Sequence, residues 1–145
     1  IGAAWIGIAQ VSPVMATITI WIMLVGSLMA LRAGLRTSEP WWMHVPLALL
    51  AGWLTAASWV ALTTTVVGFT ALTPVPGSWI GLSGALVTAI AVLRVMPQPA
   101  YAIAAIWALV GIIVANLGGS TAFVAATGAG AALLAWEAVR GSRNA

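Results

Sequence analysis

Read along its length, the chain is a series of apolar runs with few polar interruptions, set apart by short clusters of proline, glycine and serine. A helix needs roughly 20 mostly apolar residues to cross a hydrocarbon core of about 30 Å, so runs of that length between breakers are the natural unit. Five emerge. Val14 to Leu35 follows Ser12-Pro13, where proline suits a first helical turn, and closes at Gly34 with Arg32 and Arg36 nearby. Val45 to Val67 is the second. "TALTPVPGS" then breaks the chain, because Pro74, Pro76 and Gly77 disfavour a continuing helix, and Ser78 to Val95 follows as a shorter third run. "MPQP" makes the next turn, Pro99 to Leu117 is the fourth run, and "GGS" separates it from Thr121 to Val139, the fifth. Ile1 to Gln10 reads as the tail of an earlier helix, so the chain is expected to be an N-terminally truncated fragment. The predicted fold is all-α: one polytopic transmembrane helix bundle of about five spans plus an N-terminal stub.

Charge tests this map independently, because cytoplasmic loops collect arginine and lysine while successive spans alternate in direction. Arg32 and Arg36 follow the first span, Arg94 ends the third, and Arg140 and Arg143 follow the fifth, whereas the segments at Gly68 to Gly77 and Gly118 to Ser120 carry no charge. All five arginines fall on one side. That places the C-terminus in the cytoplasm and the Pro74/Pro76 loop outside. With 63% hydrophobic and 5% charged residues and a mean hydropathy of +1.12, the composition excludes a soluble domain. The net +3 rests on too few groups to make a nucleic-acid surface. There is no cysteine, which removes disulfides and thiolate chemistry, and the opening "IGAAWIGIAQ" does not read as a signal peptide.

Tryptophan is the conspicuous residue. Trp41 and Trp42 stand at the cytoplasmic mouth of the second span, where an amphipathic indole anchors a helix at headgroup depth. His44, beside them, is a candidate axial ligand for a tetrapyrrole metal, although no second-shell partner is legible for it. Interface preference does not account for Trp53, Trp59 and Trp107, which lie well inside spans. They are packing aromatics or the wall of a flat aromatic pocket for a planar apolar ligand. At about 100° per residue, Trp53 and Trp59 lie roughly 120° apart and flank a face containing Gly52 and Ala56.

Small residues recur four apart at Gly77 and Gly81, at Ala122, Ala126 and Gly130, and at Ala125 and Ala129. Such faces let membrane helices approach closely, within a bundle or between subunits. The chemical inventory is thin: no Asp, Lys or Cys, one His, and the two acids Glu39 and Glu137. No carboxylate pair, nucleophile triad or metal cluster can be assembled, so an enzyme is not expected. Glu137 precedes Arg140 by three residues, which predicts a local ion pair, and Asn116 is the natural candidate for a helix-to-helix hydrogen bond.

"HVPLALLAGWLTAASWVAL" and "AYAIAAIWALVGIIVANL" resemble the C-terminal part of the tryptophan-rich sensory protein group, the extended bacterial relatives of the TspO/MBR family. The second span, with its proline-led start and Gly52-Trp53, is similar to the fifth helix of the basic module, and "AAWIGIAQ" to the end of its third. On that register the chain lacks two helices and most of a third, and has three beyond the basic five. The resemblance implies a non-enzymatic protein of the bacterial inner membrane, binding a porphyrin, haem, chlorophyll-type tetrapyrrole or other flat lipophile in an aromatic cavity, with a sensory or transport role. Trp53 and Trp5 are the pocket residues it carries over. The alternative is an accessory subunit of a photosynthetic or respiratory assembly, packed through its small-residue faces. The expected partners are the lipid bilayer, a tetrapyrrole or lipid ligand, and other membrane subunits or a second copy, with no nucleic acid.

Overall fold

A computed structural model of the protein describes residue 7 and residues 9–36 and 41–143. Among these residues the secondary structure is entirely helical: α1 Pro13–Gly34, α2 Trp41–Phe69, α3 Pro74–Val95, α4 Pro99–Ala115 and α5 Thr121–Arg143, with residues 7 and 9–11 also helical ahead of Ser12. Ser12 caps α1, its hydroxyl accepting from the Met15 amide at 3.3 Å, and Pro13 takes the first turn as expected. α3 starts four residues before its expected start. Pro74 and Pro76 open the helix instead of ending the preceding turn, because first-turn amides have no intrahelical acceptor and nothing is lost at proline there. α2 is longer than its apolar run at both ends, so that Pro46 lies inside it.

Four of these helices, all but α4, are long and apolar enough to cross a membrane. α4 has 17 residues, about 25 Å of helix, at the short end of what can span. The bundle buries hydroxylated side chains among its leucines and alanines and leaves many large apolar ones outward: Thr55, Ser58 and Thr127 are at most 1% exposed, while Val87, Trp107 and Val114 are more than 60% exposed. Water would penalise that distribution and hydrocarbon does not. The chain is an integral membrane protein.

α2, α3, α5 and α4 close a ring, each packed on the next, and among the described helices α1 lies outside it, packed on α2. Among the described residues, side-chain hydrogen bonds cross four of the interfaces, three of these bonds lying between α1 and α2. Thr17 meets Thr65 at 2.7 Å between α1 and α2, Tyr101 meets Thr55 at 2.7 Å between α4 and α2, and Trp59 donates to Thr88 at 3.0 Å between α2 and α3. Arg94 pairs with Glu137 at 2.9 Å between α3 and α5. Contacts also fix the ends. Gly34 lies on His44, Gly52 on the Tyr101 carbonyl and Gly141 on Pro97, so the arginines of α1, α3 and α5 share one end. Gly77 on Val67 and the Trp79–Phe123 ring pair mark the opposite, arginine-free end.

Candidate functional site

The site begins with three glycines. Gly77, Gly81 and Gly84 fall on one face of α3 and meet Val67, Thr63 and Trp59 of α2 in turn. At Gly84 the approach is closest: a side chain there would run into the Trp59 ring, so the indole lies against bare backbone. Its Nε1 donates to the Thr88 hydroxyl, whose own hydrogen goes to the Gly84 carbonyl at 2.8 Å. Trp21 of α1 meets the same ring edge-on, with centroids 5.4 Å apart and planes at 75°. Held on three sides, Trp59 borders a groove of about 490 Å³ that runs along α3 past Ile80, Gly84 and Val87 to Trp79. Val87 is 69% exposed, so the groove opens on the membrane face rather than into the bundle. Trp79 is steadied in turn by an edge-on contact with Phe123 of α5, at 5.3 Å.

Inside the ring lies a second space, of about 200 Å³, at the arginine-free half. All four ring helices line it: Ala56 and Thr63 from α2, Ser78 and Ala85 from α3, Asn116 from α4 and Phe123 from α5. Toward the arginine end it narrows to a gap of about 10 Å³ among Ala89, Ala105, Leu109 and Leu134. Drug-sized ligands occupy pockets of roughly 300–1,000 Å³, so the inner chamber is small for one, and the outer groove is open along its membrane side.

The chain matches the family described as TSPO-like protein over residues 1–139, a span that includes all but the last turn of α5. The chain belongs to that TSPO-like family. No curated protein and no solved structure matches it. As a TSPO-like chain it is a non-enzymatic membrane protein, and among the described residues no three of His, Cys, Asp and Glu gather as a metal site.

In this TSPO-like bundle the tryptophans picked out from sequence do not converge. Trp59 is the one that borders the groove. Trp53 sits on another face of α2, 49% exposed, and Trp107 is 73% exposed on the outer face of α4. Gly52 and Ala56, on the face between Trp53 and Trp59, are buried, in keeping with the 120° separation. Trp42 is 59% exposed near the arginine end, and Trp5 and the Trp41 side chain lie outside the described residues. The His44 imidazole rests on Gly34 of α1, its Nε2 buried and, among the described residues, without a hydrogen-bond partner.

Two polar expectations are corrected. Glu137 makes its salt bridge to Arg94 across the helix interface rather than to Arg140, because it faces α3 with its side chain only 7% exposed. Asn116 donates to Ile112 in its own helix at 2.8 Å, since it stands at the C-cap where a terminal carbonyl needs a partner. Trp79, Trp21 and Thr88 were missed. A third small residue, Gly84, extends the Gly77/Gly81 pair, and it was the available signal for where an indole could lie on α3.

Proposed function

We propose that this TSPO-like protein binds a flat apolar ligand of the tetrapyrrole class, a porphyrin, haem or chlorophyll-type ring, in the membrane-facing groove between Trp59 and Trp79, in a sensory or transport-related role. The groove itself carries the reading. It runs along Ile80, Ser83, Gly84 and Val87 of α3, its ends are two indoles braced by other rings, and it lies open to lipid, from which a planar macrocycle would approach. The Trp59 N–H is already committed to Thr88, so recognition rests on aromatic surface, with the Ser83 hydroxyl as the polar group at hand. The arginine end, with the end of α5, then faces the cytoplasm of a bacterial inner membrane.

Titrating protoporphyrin into the protein in lipid nanodiscs, with tryptophan quenching and absorbance read together, tests this. Saturable binding that weakens at least about fivefold in Trp79→Ala, and is unchanged in Trp53→Ala, is the expected result. Absence of saturable binding, or equal affinity in Trp79→Ala and the parent, would overturn it.

A second reading, an accessory subunit or homodimer, draws on α5, where Ala122, Ala125 and Ala129 are exposed on its outer side and allow close helix approach. Migration solely as a free monomer on native gels after mild extraction counts against it.

A further inference from the structure

The inner chamber does not end at its own wall. A shallower space of about 180 Å³, bounded by Val67, Pro74 and Gly77 at the arginine-free end, shares Thr63, Thr64 and Ser78 with it. The two spaces adjoin at these residues and together outline a passage from the α2–α3 turn toward the middle of the ring, with hydroxyls at the junction. Thr63 donates to the Trp59 carbonyl at 2.9 Å and Ser78 to the Pro74 carbonyl at 2.9 Å. The Thr63 and Ser78 hydrogens are thus committed to backbone, and their oxygen lone pairs remain to accept. None of the residues lining the passage is ionisable. Beyond Ala56 and Ala85 the way is closed by the packed contact of Leu86, Leu109 and Leu134.

We infer that this passage is an aqueous vestibule, open to the arginine-free compartment. It admits water and small neutral hydrogen-bond donors, such as alcohols and amides, as far as Ala56 and Ala85. A lone cation meets no counter-charge there, and a chamber of about 200 Å³ holds too few waters to keep its hydration shell, so it is excluded by the cost of partial dehydration. The vestibule is independent of the tetrapyrrole groove, which lies on the other side of the α2–α3 contact and faces lipid.

The natural absence of cysteine allows a direct test. Single variants Ala56→Cys and Ala85→Cys report the chamber, Ser78→Cys its mouth, Ala105→Cys the constriction, and Val87→Cys the lipid face. In nanodiscs each is treated with neutral 2-hydroxyethyl methanethiosulfonate and with its quaternary trimethylammonium analogue, both rates being normalised to a free thiol in solution. A thiol reacts as thiolate, which forms in water and not in hydrocarbon, so rate reports hydration. The expected result is neutral-reagent modification at Ala56→Cys and Ala85→Cys at least about tenfold faster than at Ala105→Cys and Val87→Cys, with the quaternary reagent fast only at Ser78→Cys. Two chamber positions are used so that misfolding of one variant, seen by circular dichroism, leaves the other. Chamber rates no faster than those at the lipid-face position would overturn the vestibule, and equal chamber rates for the two reagents would overturn its neutrality.

Discussion

The two ends of the bundle are built on different rules. At the arginine end, backbone meets backbone where Gly52 lies on the Tyr101 carbonyl, Tyr101 is fully buried with its hydroxyl on Thr55, and Arg94 ties α3 to Glu137 of α5. The gap left above that layer is about 10 Å³. At the arginine-free end the same helices separate around a chamber twenty times larger, where Thr63, Thr64, Ser78 and Asn116 interrupt a wall otherwise made by apolar and small residues such as Phe123, Leu82 and Ala85. One half is a packed closure and the other a space. Lipid gives neither half a hydrophobic reason to associate, so the difference comes from filling: Leu86, Leu109 and Leu134 occupy the interior at one half, and small side chains such as Ala56, Gly81 and Ala85 leave it open at the other.

Substitutions that challenge this contrast rank by how tightly the site is packed. Gly52→Val should have the largest effect, because the new side chain meets α4 backbone that cannot move aside; loss of folded protein, or at least about 3 kcal/mol of stability, is expected from denaturant titration in detergent. Leu134→Ala, at a side chain 1% exposed in the constriction, should cost about 2 kcal/mol by the same titration. It should also join the two halves, so that a cysteine at Ala105 in that background gains reactivity toward the neutral reagent. Tyr101→Phe removes one buried interhelical hydrogen bond, worth about 1 kcal/mol in a membrane protein, and should lower the thermal midpoint modestly. At the open end Ala85→Val extends into free volume, and a change within about 0.5 kcal/mol of the parent is expected there. A cost at Ala85 matching that at Leu134 would erase the distinction.

Much of the architecture was legible because a bilayer sets helix length, and because arginine placement fixes direction; the runs ending near Arg32, Arg94 and Arg140 became helices with those residues at a common end. Facing was harder to read. In water an apolar stripe identifies the inner side of a helix, but here every side is apolar, and the information moves to glycines and hydroxyls. The Trp53–Trp59 separation was correctly read as two faces, yet nothing in periodicity says that Trp59 would find Gly84 and Thr88, or that Trp79 would stand at the far end of the same groove. Glu137 was paired with the wrong arginine for a similar reason: Arg140 is near in sequence, whereas Arg94 is brought close only by the α3–α5 contact.

Among the described helices α1 leans on a single neighbour, while α2 supports three. The second helix is therefore the mast of the assembly and the first an outrigger. Mutational tolerance should divide along that line: a bulky change on the buried side of the mast unsettles three contacts at once, whereas the outrigger can drift in sequence so long as Thr17 and Trp21 keep their hold on it.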